Sequence, residues 1–126
     1  MIDHLSLGVS DLARASAFYD AVLAPLGYVR LWTKERGVGY GKPGMRDEPF
    51  ALVAAGPDAM PPGRGWHLAL AASSRQAVDE FHAVAVRLGA LDEGAPGIRA
   101  HYDPGYYAAF IRDLDGYRIE AVLHEA

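Results

Sequence analysis

The sequence predicts an α+β fold of two paired βαβββ modules, which form a curved, half-open mixed sheet with the helices outside. Three observations support this: the order of elements repeats along the chain, each half has one helical segment, and a Gly- and Pro-rich stretch separates the halves. One helix covers only one face of a sheet, so each half needs the other to close its open face. We expect a single domain, 1–126, with modules at approximately 1–56 and 66–126 and a linker at 57–65.

The first module begins with a strand at residues 2–9, in which Leu5, Leu7 and Val9 share one face because strand side chains alternate. Ser10 or Asp11 is a suitable N-cap for a helix at 12–23, whose apolar residues have helical spacing. Three further strands are predicted, at residues 28–33, 37–42 and 50–55.

The second module repeats this order. A strand at 66–72 precedes a helix that is capped by Ser73 or Ser74, runs to about Leu88 and ends at Gly89. The apolar positions of this helix are helically spaced: Ala77, Val78, Phe81, Ala85 and Leu88. The remaining strands are predicted at 98–102, 106–112 and 117–123, with a hairpin turn at Asp115-Gly116.

Several residues recur at one constant spacing in the two modules. His4, Leu5, Leu7 and Phe18 of the first correspond to His67, Leu68, Leu70 and Phe81 of the second. The matched residues occupy the same structural roles, which indicates an internal repeat.

Composition narrows the possible functions. The chain has 126 residues, a formal net charge of −4 and no cysteine. The absence of cysteine excludes disulfides, thiolate metal sites and a cysteine nucleophile, and the negative charge argues against nucleic acid as a partner. No apolar run has the length of a membrane helix, and the first residues do not resemble a signal peptide. We therefore expect a cytoplasmic protein.

Three residues form a candidate metal site. His4 and His67 are predicted to lie opposite the apolar faces of their strands, and Glu120 opposite Ile119 and Ala121 of the last strand. Two imidazoles and one carboxylate suit a divalent first-row metal with open coordination positions: Fe, Mn, Ni, Co or Zn. Alternatively, each histidine is a structural residue, and Glu120 lies on an exposed surface.

Two motifs resemble the vicinal oxygen chelate superfamily, which includes glyoxalases, bleomycin-resistance proteins, fosfomycin-resistance thiol transferases and extradiol dioxygenases. They are the opening stretch at residues 4–12, followed by Ala17-Phe18-Tyr19, and the closing hairpin at 112–120. The resemblance implies paired βαβββ modules, a metal bound by His4, His67 and Glu120, and a homodimer. In many members the cavity combines modules of two chains, so His4 could serve a different site from His67 and Glu120.

The sequence departs from the family pattern at two positions. Glyoxalase-type isomerases commonly have a fourth protein ligand at the end of the first module, where this chain has Val53. A glyoxalase with four protein ligands is therefore not expected. Leu114 replaces the proline that is usual in the closing hairpin, which changes the rigidity of the turn.

Catalytic candidates come from the segment before the second-last strand. His101 is the best general acid or base, and Tyr107 is a plausible hydrogen-bond donor, if they reach the cavity. The alternative is that the tyrosines of this segment pack with their hydroxyl groups in water.

The leading interpretation is a small metal-dependent enzyme, a lyase or isomerase, a thiol transferase or a dioxygenase, whose substrate chelates the metal through adjacent oxygens. The alternative is a metal-free protein of the bleomycin-resistance kind that sequesters an aromatic or cationic small molecule. A third possibility is that the three residues form a structural polar cluster without a ligand. The expected partners are a small-molecule substrate and a second copy of the chain, not nucleic acid or a membrane.

Overall fold

The computed structural model describes all 126 residues and divides into two compact units, Met1–Pro61 and Pro62–Ala126. Each unit consists of one helix and one four-stranded mixed sheet with the order β-α-β-β-β. The predicted α+β class with two βαβββ modules is thereby confirmed. The boundary between the units falls between two prolines of the predicted linker.

The first unit contains β1 (Leu5–Val9), α1 (Leu12–Leu23), β2 (Val29–Lys34), β3 (Gly37–Gly41) and β4 (Phe50–Ala54). Its sheet has the order β1-β4-β3-β2, with β1 parallel to β4 and the other pairs antiparallel. A single 3₁₀ turn (Ala24–Leu26) follows α1 and ends at Gly27, whose φ of +85° suits glycine.

Helix α1 forms as predicted because its N-terminus is capped and its apolar residues lie on one side. The Asp11 carboxylate accepts the Arg14 N–H at 3.1 Å. The five apolar positions expected to face the core are all buried: Ala15, Phe18, Tyr19, Val22 and Leu23.

The second unit contains β5 (Leu68–Ala71), α2 (Arg75–Arg87), β6 (Leu91–Ile98), β7 (Tyr106–Arg112) and β8 (Arg118–His124). Its sheet has the order β5-β8-β7-β6, with β5 parallel to β8. Ser74 caps α2 by accepting the Ala77 N–H at 3.1 Å. Neither helix of the protein is long and apolar enough to cross a membrane.

Strands β1 and β5 begin later than the alternation of their side chains predicted. The first pair in the β1 ladder is Leu5 with Phe50, and the Leu5 N–H donates to the carbonyl of Pro49. Pro49 has no N–H to continue the ladder. His4 and His67 therefore lie immediately before their strands rather than within them.

Two other predictions were wrong. The strand predicted at 98–102 is β6 (Leu91–Ile98), because bulges and an edge position accommodate its Gly94 and Pro96. A 3₁₀ turn, Gly56–Asp58, lies where no regular element was expected, because a proline in a first helical turn gives up no hydrogen bond.

Candidate functional site

The strand register of the second unit places Glu120 on the sheet face that α2 does not cover. Glu120 pairs with Ala69 of β5 and Phe110 of β7, and directly paired residues share a face. On the other face, Tyr107 reaches α2, where its hydroxyl donates to the Asp79 carboxylate at 2.6 Å. Glu120 therefore lies on the open face.

Glu120 is a buried carboxylate with one satisfied oxygen. The residue is only 1% exposed, and its Oε2 accepts a hydrogen bond from the hydroxyl of Tyr106. Its Oε1 is buried without a hydrogen bond, although Nε2 of His67 lies 3.0 Å away. This distance is short enough for an ion pair, but the two atoms are not oriented for a hydrogen bond. A hydrogen bond requires a suitable angle as well as a short distance, so we do not count one here. A buried oxygen without a donor is costly, so Oε1 needs a partner.

A divalent metal fits this pair of atoms. Two ligand atoms bound to one metal at right angles, with bonds of about 2.1 Å, lie about 3.0 Å apart. Nε2 of His67 and Oε1 of Glu120 have this spacing, and the His67 side chain is 52% exposed. The chemistry and the spacing of the two atoms therefore suit a metal ion that stays accessible to a ligand.

The structure brings together two of the three predicted metal ligands. No group of three or more His, Cys, Asp or Glu side chains is arranged to hold a metal ion. His4 belongs to the other unit, where its ring is exposed and its Nδ1 lies 2.7 Å from the Asp3 carboxylate. This hydrogen bond raises the pKa of His4. Its role as a ligand stays a prediction.

Tyr106 holds the Glu120 carboxylate through a hydroxyl group that remains protonated at neutral pH. Burial is the main cause that raises the pKa of Tyr106, and the neighbouring Glu120 carboxylate raises it further. Since the phenol keeps its proton, it is a permanent donor to Oε2. Tyr106 thus fixes one carboxylate oxygen and leaves the other beside His67, without a hydrogen bond.

The pair lies in a cavity of about 400 Å³ within the second unit. Neighbouring aromatic rings line it: the ring centroid of Tyr106 lies 5.0 Å from that of Tyr102 and 5.0 Å from that of His124. Asp103 completes the lining. A second cavity of about 420 Å³ shares His67 and Tyr102 with the first. Both volumes are in the range of small-molecule sites.

The two predicted catalytic residues lie elsewhere. His101 is exposed in a turn, with its ring 4.2 Å from that of Tyr102. Tyr107 is on the face of the sheet toward α2 and is bonded to Asp79. Neither lines the two cavities. Their catalytic roles stay predictions. The alternative, that the tyrosines of this segment point their hydroxyl groups to water, does not describe Tyr107, whose hydroxyl donates to Asp79.

Sequence reasoning missed Tyr106 as the partner of Glu120. The predicted turn gave no signal for it, because a two-residue turn at Asp115-Gly116 would pair Ile111 with Glu120, whereas the observed register pairs Phe110 with Glu120. Alternation then places Tyr106 on the Glu120 side and Tyr107 on the opposite side. His124, placed by strand rise about 13 Å from Glu120, lines the same cavity.

Comparison with known proteins gives one family model and many similar folds. The model of the Glyoxalase/Bleomycin resistance protein/Dioxygenase superfamily matches residues 1–121. A glyoxalase/bleomycin resistance protein from Albidiferax ferrireducens T118 is 32% identical, with a TM-score of 0.79 over 95% of each chain. The comparison with curated proteins found no match.

More distant structures share the fold. A glyoxalase/bleomycin resistance protein/dioxygenase family enzyme from Burkholderia phytofirmans PsJN is 18% identical, with a TM-score of 0.72 over 98% of each chain. A genomically encoded fosfomycin resistance protein from Listeria monocytogenes is 17% identical, with a TM-score of 0.70 over 97% of this chain and 91% of that one.

Proposed function

This chain belongs to the Glyoxalase/Bleomycin resistance protein/Dioxygenase superfamily, and we propose that it is a small metal-dependent enzyme of the glyoxalase or dioxygenase type. The proposed ligands of the divalent metal are His4, His67 and Glu120. The proposed substrate is a small molecule that chelates the metal through adjacent oxygens. We propose that the protein acts as a homodimer, in which His4 belongs to the same site or to that of the partner.

One observation carries this proposal: the buried Oε1 of Glu120 has no hydrogen bond and lies 3.0 Å from Nε2 of His67. In a neutral imidazole one ring nitrogen is an acceptor. Two acceptor atoms at this distance repel each other unless a cation or a proton lies between them. A metal ion would bind both atoms and would remove the free-energy cost of burying Oε1 without a partner.

The residues around this pair have distinct tasks in the proposed enzyme. Tyr106 holds Glu120 in a fixed orientation, and the exposed His67 ring leaves the cavity open to a ligand. A bound divalent metal would polarise a substrate oxygen or lower the pKa of a bound water. Tyr102 and Tyr106 supply flat, apolar walls with a polar edge.

Metal analysis of the purified protein tests this proposal. We expect about one equivalent of divalent metal per chain after dialysis, and its loss in His67→Ala and Glu120→Gln, since each removes one ligand. His101→Ala is the matched control, because it removes an exposed imidazole outside both cavities. Full metal content in His67→Ala, or equal loss in His101→Ala, would contradict the assignment.

A metal-free binding protein is the second candidate, favoured by one observation. The structure contains no group of three ligand side chains, and a His67 ring that carries a hydrogen on Nε2 would supply the donor that Oε1 needs. The aromatic rings and carboxylates of the cavity would then take an aromatic or cationic ligand. Absence of metal from wild-type protein, and no uptake of Fe, Mn, Ni, Co or Zn by metal-depleted protein, would favour this candidate.

A further inference from the structure

The second cavity of the Pro62–Ala126 unit, which we call the arginine recess, has a composition different from that around Glu120. It is lined by Trp66, His67, Glu93, Tyr102, Phe110 and Arg118, among others, and has a volume of about 420 Å³. His67 and Tyr102 also line the cavity around Glu120. A ligand that fills the arginine recess therefore contacts the proposed metal ligand His67.

The carboxylate of the recess is held by an arginine, Arg112, that does not itself line the recess. Glu93 is the only carboxylate of its lining, and its Oε1 accepts a hydrogen bond from Nε of Arg112 at 2.7 Å. Nε of Arg118 lies 3.9 Å from the same oxygen, which is too far for a hydrogen bond. One carboxylate thus faces two guanidinium groups, and Arg112 makes the closer contact.

Arg118 is available to a ligand. Its side chain is 47% exposed, and its distant contact with Glu93 is its only ion pair. Arg99, by contrast, donates to the carbonyls of Ala95 and Gly97, so its guanidinium is already occupied. A free guanidinium is a preferred partner of a carboxylate, because its planar donors match two oxygens at once.

The walls of the recess are aromatic. Trp66 is held by an edge contact with Tyr117, at 5.8 Å between ring centroids. Phe110 lies under the guanidinium of Arg99 at 5.3 Å. Aromatic walls favour a flat group, because rings stack or meet edge to face.

From these contacts we propose that the arginine recess binds a planar organic carboxylate, with its ring among Trp66, Tyr102 and Phe110 and its carboxylate on Arg118. The proposal names the substrate class of the proposed enzyme. Binding of the carboxylate does not depend on the proposed function; only the statement that the bound carboxylate is the substrate rests on it. A substrate of this class has its flat body in the recess and its chelating oxygens toward His67 and Glu120.

Calorimetric titration with benzoate and benzamide tests the proposal, because the two probes have the same ring and nearly the same size but differ in charge. We expect wild-type protein, both as purified and after chelator treatment, to bind benzoate about tenfold more tightly than benzamide, since one charge-assisted contact has about this effect. The chelator-treated sample excludes direct binding of benzoate to a metal. Cyclohexanecarboxylate, which lacks the flat ring, is expected to bind several-fold more weakly than benzoate.

Two variants should change benzoate binding in opposite directions. In Arg118→Gln the preference for benzoate disappears while benzamide binding is retained, which also shows that the variant is folded. In Glu93→Gln benzoate binds more tightly, because both guanidinium groups lose their carboxylate. Arg87→Gln, on the exposed end of α2, is the control and leaves both affinities unchanged.

Equal affinities of wild-type protein for benzoate and benzamide would overturn the proposal, as would a retained preference in Arg118→Gln or equal binding of cyclohexanecarboxylate and benzoate. Metal content, measured on the same samples, separates this proposal from the enzymatic one. A benzoate preference without bound metal refutes only the metal-dependent function. A full equivalent of metal without the preference refutes only the planar carboxylate.

Discussion

Replacing Tyr106 by Phe tests the arrangement around Glu120, because it removes one hydroxyl group and keeps the ring. The lost hydrogen bond leaves Oε2 of a carboxylate that is 1% exposed without its donor. Loss of a hydrogen bond to a buried charged group costs about 2 kcal/mol. For a chain of this size the melting temperature of metal-free protein should fall by roughly 6–10 °C. Because a group that orients a metal ligand typically affects affinity 10- to 100-fold, metal binding should weaken by about tenfold or more.

Tyr107→Phe is the matched control. It also removes a phenol that donates to a carboxylate, here Asp79, but on the opposite face of the sheet and at an exposed bond. We expect it to lower stability by about 0.5 kcal/mol and to leave metal affinity unchanged. Thermal unfolding with a chelator present and competition with a coloured chelator give the two quantities. Wild-type stability and metal affinity in Tyr106→Phe, or equal effects of both variants, would refute the role of Tyr106.

The other predictions concern stability and pH. In urea unfolding, Gly105→Ala should destabilise the protein by about 1–3 kcal/mol, because a Cβ at this position would lie 2.1 Å from the carbonyl oxygen of Glu125. Gly63→Ala is the control and should be neutral, because a Cβ there would have nothing within 4 Å. Equal effects of the two variants on stability would contradict this prediction. Burial and then the Asp20 carboxylate raise the pKa of Tyr40 above its ordinary value of 10.0, so its contribution to stability is complete below pH 10 and is lost as pH rises further. The phenolate absorbance that disappears in Tyr40→Phe should therefore titrate above that of an exposed tyrosine, and titration at or below pH 10 would refute the shift.

The fold could be predicted because its signals are local. Asp11 and Ser74 cap their helices, and the buried residues of each helix have helical spacing, so both helices were located correctly. Strand β7 was located by its apolar sequence and the following turn. Strand β6 was not, because Gly94 and Pro96 usually interrupt strands, and only its edge position and bulges allow them.

The site could be predicted only in part, because burial and orientation depend on the folded chain. Alternation places Glu120 on the open face, but a two-residue turn at Asp115-Gly116 would place Tyr107 on the side of Glu120. Only the observed register, with Phe110 opposite Glu120, places Tyr106 there. The sequence contains no signal that Oε1 of Glu120 is buried without a donor. The contact of Arg118 with Glu93 depends on the bulges of β6, so it could not be found while that strand was misplaced.

The central claim is that a metal ion joins His67 to Glu120. A crystal of the protein grown with Mn²⁺ or Co²⁺ and measured at the absorption edge of the metal tests it most directly. We expect one strong anomalous peak per chain, at about 2.1 Å from Nε2 of His67 and from Oε1 of Glu120. The same map shows whether the third ligand is His4 of that chain or His4 of a second copy. An anomalous peak elsewhere would contradict the account. The absence of any peak, together with a His67 ring that donates a hydrogen bond to Oε1 of Glu120, would also contradict it.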